Sequence, residues 1–349
     1  MNAVGKSYYV VPIFVPHLGC PHDCIFCNQK RISGIKAPLN SGDLHREIES
    51  ILSTLDYSNN PRVEIAFFGG SFTGIELALQ EDYLSIGKTY IDKGLVDGLR
   101  LSTRPDYIDE TILRRLKQYG VETIELGVQS MHQDVLEASN RGHTVASVVQ
   151  ASKMIKDYGF TLGHQLMPGL PGDTVERFKE TVDLSVALGP DVMRFYPTLV
   201  IKETGLADAF CDKRYEAMSL EEATCACAYG LEKCLNQGIR VIRIGLQATE
   251  SVCDDGDVLA GPFHPSFRQL VEGMVFKKKV VEALKILDVS SETCKGQRLR
   301  LTCSANQVSS VSGLNKRNKL ALIEAYGFSK INIIGADQMA PYTIMVEVF

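Results

Sequence analysis

Residues 8–27 read "YYVVPIFVPHLGCPHDCIFC", and this stretch decides the fold because it joins a strand to a thiol-rich loop. Residues 8–15 form a short aromatic and β-branched run, which is typical of a buried strand. Cys20, Cys24 and Cys27 follow at once, spaced i, i+4 and i+7, in a loop that also holds glycine and proline. The sequence therefore predicts a first strand whose carboxyl end carries three thiols.

Short apolar runs and amphipathic segments continue to alternate after this strand. Such alternation indicates βαβ units and a parallel sheet. The pattern favours an α/β barrel, complete or partial, whose chemistry lies at the carboxyl ends of the strands. The predicted strands cover residues 8–15, 63–70, 98–103, 122–128, 160–167 and 191–197, and the predicted helices cover 43–55, 75–91, 107–119, 145–158 and 174–188.

The alternation changes after Leu206. The later sequence predicts a helix at 219–236, a strand at 239–247, a loop at 252–266 and short strands around a helix at 314–326. We therefore expect three parts: a barrel core (1–205), an extension of that core (206–265) and a small C-terminal α+β region (266–349).

Composition excludes some classes of protein. The net charge of -5 and the pI near 5.9 give no overall basic character, so any contact with nucleic acid must come from a local patch. The N-terminal apolar run is short and is broken by Pro12 and Pro16, which fits neither a signal peptide nor a membrane span. We expect a cytoplasmic protein whose ten cysteines serve as thiols, metal ligands or core residues rather than disulfides.

Three neighbouring thiolates fit two kinds of metal site. Structural zinc usually takes four protein ligands, and His17 or His22 could supply the fourth. A [4Fe-4S] cluster often takes four cysteines, so three cysteines would leave one iron open to a substrate or cofactor. Both sites remain possible on these residues alone.

The order Cys-x-x-x-Cys-x-x-Cys after a first barrel strand resembles the motif of the radical S-adenosylmethionine (SAM) enzymes, and Phe26 occupies the usual aromatic position. The resemblance implies that Cys20, Cys24 and Cys27 hold a [4Fe-4S] cluster and are the catalytic ligands. In that family the open iron chelates the amino and carboxylate groups of SAM. An electron from the cluster then cleaves SAM to methionine and a 5′-deoxyadenosyl radical.

The resemblance also implies that motifs at the other strand ends contact SAM. "FFGGSFTG" (67–74) stands where the family often has Gly-Gly-Glu, although a tight turn would explain the glycines equally well. In "LSTRPDYID" (101–109), Asp106 could instead cap a helix that Tyr107 enters. Either Asp173 or Thr174 is expected to cap the helix after the fifth strand, and His132 and His143 are expected to be polar loop residues. The expected SAM contacts are Gly69, Gly70, Ser71, Ser102, Thr103, Arg104, Gln129, Ser130, Arg141, Gln165, Arg194 and Tyr196, with Arg141 assigned to the methionyl carboxylate.

Taken in order, these motifs resemble the radical SAM portion of the Elongator catalytic subunit family over about residues 8–205. This implies a partial (β/α)6 barrel of the TIM type that holds a [4Fe-4S] cluster and SAM. The Elongator subunit also carries an acetyltransferase domain and modifies wobble uridine in tRNA. We find no match to its acetyl-coenzyme A site and expect no acetyltransferase activity from this chain.

Three functions follow from this reading. The first is modification of an RNA nucleoside, most specifically in tRNA, by a radical SAM enzyme that receives electrons from a flavodoxin or ferredoxin type of donor. The second is radical chemistry on a small metabolite, as in the coproporphyrinogen dehydrogenases, and the third is a metal-binding regulatory protein without turnover. RNA contact is expected from two basic segments, "FKKKVVEALK" and "GLNKRNKLALIEAYG", although such runs are usually solvated surface. Their basic residues are Lys277, Lys278, Lys279, Lys316, Arg317 and Lys319.

Overall fold

The computed structural model describes residues 8–15, 24–28, 38–246 and 256–349. Its strands are β1 (Tyr8–Val15), β2 (Arg62–Gly69), β3 (Gly98–Thr103), β4 (Val121–Gln129), β5 (Thr161–Leu166), β6 (Val192–Phe195), β7 (Val200–Ile201), β8 (Arg240–Ile244), β9 (Val258–Ala260), β10 (Arg298–Ser304), β11 (Lys330–Ala336) and β12 (Ile344–Val348). Its helices are α1 (Ser41–Leu52), α2 (Leu77–Asp92), α3 (Glu110–Gln118), α4 (Gln133–Ala138), α5 (Val145–Asp157), α6 (Val175–Ala187), α7 (Gly205–Cys211), α8 (Leu220–Asn236), α9 (Phe267–Ile286), α10 (Val308–Ser312) and α11 (Arg317–Tyr326).

The main sheet has seven strands in the order β1-β2-β3-β4-β5-β6-β8, and every neighbouring pair is parallel. Strands β1 and β8 stand at the two ends of this order, so the sheet is an open half-barrel. The predicted α/β fold with a partial TIM-like barrel is confirmed. The strand predicted at 239–247 extends the barrel sheet by one strand, although its last residue lies outside the described part of the chain.

The two faces of this sheet differ in polarity because successive side chains of a strand point to opposite faces. Residues such as Leu99, Leu101 and Ile124 belong to the main hydrophobic core, which the helices cover. The alternate positions carry Arg100 and Glu125, which contact each other on the concave face. The sheet thus has an apolar outer face and a charged inner face.

Side-chain caps fix the first residues of two helices. The helix predicted at 107–119 begins at Glu110, because the Asp109 side chain accepts a hydrogen bond from the backbone N–H of Ile112 at 2.7 Å. Asp106 is therefore not the cap, and residues 105–107 form a separate 3-10 turn. Helix α6 is capped by Thr174 rather than by Asp173.

Two further segments differ from their predictions. The loop predicted at 252–266 contains β9, which pairs antiparallel with β7, while residues 252–255 lie outside the described ranges. The helix predicted at 314–326 is a single 3-10 turn followed by α11. Positive φ angles at Asn315 (52°) and Lys316 (63°) separate the two.

The C-terminal region is a three-stranded sheet in the order β11-β10-β12, packed against α9, α10 and α11. Helix α9 joins this region to the barrel. Its first half contributes Phe267, Val271 and Val275 to the main core, and its second half contributes Phe276 and Val280 to a second core. Within the described ranges, no helix combines the length and apolar character needed to cross a membrane.

Candidate functional site

The cysteine loop is held at the carboxyl edge of the main sheet by backbone hydrogen bonds. The N–H of Ile25 donates to the carbonyl of Ser139 at 3.2 Å, and the carbonyl of Ile25 accepts from the N–H of Leu206 at 2.7 Å. A turn closes between Cys24 and Cys27, whose N–H donates to the Cys24 carbonyl at 2.9 Å. Two of the three predicted ligands are therefore fixed against the turn after α4 and the start of α7.

Cys20, His17 and His22 lie outside the described residues. Among the described residues there is no group of three or more His, Cys, Asp or Glu side chains that could hold a metal. Cys24 is buried and Cys27 is half-buried. A complete set of three cysteine ligands therefore needs Cys20, and the cluster remains a prediction.

The glycine motif lies against the end of β1, where the cysteine loop begins. Val15 and Gly69 are partners in parallel register, and the N–H of Gly70 donates to the Val15 carbonyl at 3.2 Å. Gly69 has a φ of 105°, a conformation that side-chain-bearing residues rarely adopt. The two glycines thus bring the backbone of β2 close to the origin of the loop.

Arg141 bridges the cysteine loop and the end of β4. Its Nη1 lies 3.3 Å from the Sγ of Cys24, and its Nη2 donates to the carbonyl of Gly127 at 2.9 Å. A Cβ on Gly127 would lie only 2.6 Å from that Nη2, so a larger residue there would displace the guanidinium. The structure therefore brings together two residues, Cys24 and Arg141, that are far apart in the chain.

Gln129 lies beside this bridge in an unusual backbone conformation. Its φ is 67°, and the pairing of β4 with β5 shifts register between Leu126 and Gln129. Strain of this kind in a non-glycine residue is often found at functional sites. The side-chain Oε1 of Gln129 and the Nε of Arg141 are both buried, and neither has a hydrogen-bond partner among the described residues.

These two atoms are an acceptor and a donor, so they match the ammonium and carboxylate groups of an amino-acid ligand such as the methionyl part of SAM. The space that a Cβ on Gly127 would fill is lined by both side chains, since the Nε2 of Gln129 lies 3.1 Å from that position. The residues present therefore fit SAM.

Two other predicted contacts form hydrogen bonds within the protein. Thr103 lies 2.5 Å from the hydroxyl of Thr73 on the outer face of the sheet. Ser130 accepts a hydrogen bond from the N–H of His132 at 3.1 Å, at the turn before α4. Thr103 and Ser130 thus stabilise loops of the barrel, and their contacts with SAM remain predictions.

Arg104 is buried and donates two hydrogen bonds, at 2.9 and 2.8 Å, to the carboxylate of Asp106. Burial would raise the pKa of Asp106, but the hydrogen bonds and charge of Arg104 lower it below its usual value. Arg104 is therefore ion-paired with Asp106 in the folded protein, and its contact with SAM remains a prediction.

His143 was expected to be a polar loop residue, but it is buried between two arginines. Burial first, and then the charges of Arg141 and Arg104, lower its pKa to about 3. Its Nε2 lies 3.2 Å from the Val128 carbonyl, so the neutral ring donates from that nitrogen, and Nδ1 has no partner in the described part of the chain. The sequence feature that could have indicated a role for His143 is its position two residues after Arg141.

Sequence reasoning missed a network of buried charges on the inner face. Arg100 donates to Glu64 and to Glu125, each at 3.0 Å, and Arg194 donates to Glu125 at 3.0 Å. Arg194 also donates to the hydroxyl of Tyr196 at 3.1 Å, so both of these predicted contacts belong to the network. The available signal was the presence of charged residues inside otherwise apolar strands.

Ser102 and Gln165 extend this inner face. Ser102 pairs in register with Glu125, and Gln165 pairs with Arg194. Neither side chain forms a hydrogen bond within the described part of the chain, so both remain available to a ligand. Ser71, the last predicted contact, is buried at the 3-10 turn that follows Gly70.

Comparison with known proteins identifies the family of this chain. Residues 14–185 match the model of the radical SAM superfamily, and residues 190–276 match that of the radical SAM C-terminal domain. The chain is 26% identical, over 71% of its length, to the tRNA uridine(34) acetyltransferase of Methanocaldococcus jannaschii. It is 33% identical, over 45% of its length, to Elongator complex protein 3 of Saccharomyces cerevisiae, of which it covers 32%.

The chain covers 52% of the archaeal acetyltransferase, so it spans about half the length of that relative. Among solved structures, the archaeal Methanocaldococcus infernus Elp3 with an N-terminal deletion matches with a TM-score of 0.63 at 21% identity. That match covers 79% of this chain and 64% of the other, and it supports the fold. The chain belongs to the radical SAM superfamily of enzymes and is homologous, over its radical SAM region, to the Elongator catalytic subunit family.

Proposed function

We propose that this protein cleaves SAM reductively at a [4Fe-4S] cluster held by Cys20, Cys24 and Cys27, and that it uses the resulting radical to modify a tRNA nucleoside. The observation that carries the proposal is the Arg141 bridge. It joins a cysteine of the loop to the end of β4, where a buried donor and a buried acceptor lack partners.

The protein's own residues bind and orient SAM. The Nε of Arg141 donates to the methionyl carboxylate, and the Oε1 of Gln129 accepts from the ammonium group. Backbone groups of Gly69 and Gly70 line the same edge, because no side chain stands between them and the end of β1. The cluster, when bound, supplies the electron that breaks the sulfonium bond.

The inner face selects and shields the reacting group. Ser102 and Gln165 offer hydrogen bonds to hydroxyl or base groups. The polar surface beside them is held in place by the network of Glu125, Arg194 and Tyr196. Because these charges are paired, they hold one another in position. Ser71 stays in the proposal as a backbone contact at the glycine motif.

The tRNA is proposed to lie along the two basic segments, of which only part is free. Lys277 and Arg317 line one cavity of about 440 Å³ between α8, α9 and α11, and neither pairs with a carboxylate among the described residues. Lys316 and Lys319 lie beside Arg317. By contrast, Lys278 pairs with Glu232, and Lys279 donates to a backbone carbonyl.

A cytoplasmic setting would provide tRNA together with a flavodoxin or ferredoxin type of electron donor. The acetyltransferase activity named for the archaeal relative is not part of this proposal.

The proposal is tested by anaerobic reconstitution with iron and sulfide, followed by dithionite, SAM and bulk tRNA. We expect 5′-deoxyadenosine, methionine and a mass change in one tRNA nucleoside. Replacing Cys20, Cys24 or Cys27 by Ala should abolish the cluster absorbance, whereas Cys211→Ser, at an exposed cysteine of α7, should retain it. SAM cleavage without any change in tRNA would move the substrate to a small metabolite, and retained absorbance in all three Ala variants would contradict the cluster.

A further inference from the structure

Arg141 makes an interaction that binding of SAM does not require. One of its terminal nitrogens lies 3.3 Å from the Cys24 sulfur, and both side chains are buried. A thiolate that ligates iron keeps its negative charge and accepts N–H hydrogen bonds. The contact is therefore poised to act on the cluster through one of its ligands.

The rest of the protein fixes this contact in place. The N–H of Arg141 donates to the Leu136 carbonyl at 2.9 Å, which ends α4, and the preceding turn holds Ile25 through Ser139. One turn thus positions the loop backbone and also directs the guanidinium at the loop sulfur. The second terminal nitrogen is anchored on Gly127.

The charge of Arg141 is not neutralised elsewhere. It forms no ion pair with a carboxylate in the described ranges, unlike the buried Arg100 and Arg104 and the half-buried Arg194, which are all paired with acids. Its positive charge is therefore directed at the thiol and at whatever binds beside Gln129. In a buried site of low dielectric constant, such a charge acts strongly on its neighbours.

We propose that Arg141 is a positioning residue that raises the reduction potential of the cluster through an N–H···S hydrogen bond to Cys24. This inference rests on the proposed function, because it requires the cluster. Reduction adds one electron and increases the negative charge on the cysteine sulfurs. A cationic donor therefore stabilises the reduced form more than the oxidised form.

The test is a redox titration of reconstituted protein with dithionite as reductant and without SAM, so that any role in binding SAM does not contribute. Arg141→Gln removes the charge. Gly127→Ala keeps the arginine but places a Cβ 2.6 Å from its Nη2, which displaces it. Arg177→Lys is the control, because Arg177 lies on α6 and pairs with Asp134.

We expect Arg141→Gln to lower the equilibrium constant of reduction about tenfold, which is about 59 mV for a one-electron couple, and Gly127→Ala to shift it in the same direction. Iron–sulfur stretching frequencies should change in both variants and stay unchanged in the control. A potential equal to that of the parent in both variants, with or without weaker SAM binding, would overturn the inference. Failure of both variants to load a cluster that the parent loads would also overturn it, since tuning presupposes a retained cluster. A parent that holds no iron would contradict the proposed function itself.

Discussion

The carbonyl oxygen of Val15 lies 2.7 Å from the point where a Cβ on Gly69 would stand. These two residues pair across β1 and β2, at the edge where the cysteine loop leaves the sheet. The contact leaves no room for a side chain, and the positive φ of Gly69 adds a conformational penalty for any other residue.

Gly69→Ala should therefore lower the free energy of unfolding by about 2 kcal/mol or more, since strain and overpacking add at this position. Gly94→Ala is the matched control. Gly94 also has a positive φ, of 68°, but a Cβ there would meet nothing within 4 Å. Urea denaturation of the apoprotein measures both changes, and equal losses in the two variants would contradict the steric argument.

The buried network depends on Glu125, which accepts hydrogen bonds from both Arg100 and Arg194. Glu125→Gln leaves Arg194 without an acidic partner among the described residues, whereas Arg100 keeps its pair with Glu64. We expect a loss of about 3–5 kcal/mol in the free energy of unfolding, as is typical when one partner of a buried ion pair is removed.

The control for this change is Glu122→Gln on the same strand. Glu122 pairs with Arg62, and both side chains are nearly half exposed, so the loss should stay below about 1 kcal/mol. The two variants can be compared in a single set of denaturant titrations. A loss at Glu125 no larger than that at Glu122 would show that the network adds nothing to stability.

His143 makes the free energy of unfolding depend on pH. Its pKa is lowered to about 3 in the folded protein, below the ordinary value of 6.5, so the unfolded chain binds its proton first as the pH falls. The stabilising contribution is complete above pH 6.5 and is lost as the pH falls from there toward 3.

His143→Gln should remove this contribution while keeping a donor for the Val128 carbonyl. Between pH 4 and pH 6, the variant should take up about one proton fewer on unfolding than the parent, which is about 1.4 kcal/mol per pH unit less slope. His164 has a similarly lowered pKa and stays in both proteins, so only the difference is informative. Identical slopes would mean that His143 is already protonated in the folded state.

We expect the basic residues to contribute unequally to tRNA binding. Lys277→Ala combined with Arg317→Ala should weaken binding and reduce its salt dependence by roughly 2 units, because each cation meets one phosphate. Lys278→Ala combined with Lys279→Ala removes the same charge, but both of those side chains already have partners within the protein. Filter binding at several salt concentrations tests this, and equal effects of the two pairs would indicate only general attraction.

The order of strands and the position of the cysteine loop could be predicted because each depends on local pattern. A short β-branched run gives a strand, and an amphipathic segment between two such runs makes the strands parallel. The Gly-Gly turn and the cysteine spacing could be interpreted in the same way, since both lie at predicted strand ends. The order of the strands in the sheet then follows from the usual geometry of βαβ units.

The pairing of charges could not be predicted from such patterns. Glu64, Arg100 and Glu125 each interrupt an apolar strand, but periodicity does not say which charges on different strands meet. The sequence offers Arg104 as a partner for a ligand carboxylate and Asp106 as a helix cap, and it does not show that these two side chains pair with each other. Asp109, which caps the helix, lies three residues after Asp106, and an aspartate is a suitable cap at either position. Only the backbone geometry therefore distinguishes Asp109 from Asp106.

Helix α9 belongs to two hydrophobic cores at once, and this has a consequence for how the chain folds. A polypeptide that ended before Phe267 would leave the main hydrophobic core without Phe267, Val271 and Val275, and the second core would lose Phe276 and Val280. A cut at residue 266 would therefore remove apolar contacts from both parts of the molecule. We expect the half-barrel and the C-terminal sheet to unfold together, because loosening of either part exposes the apolar surface of the other.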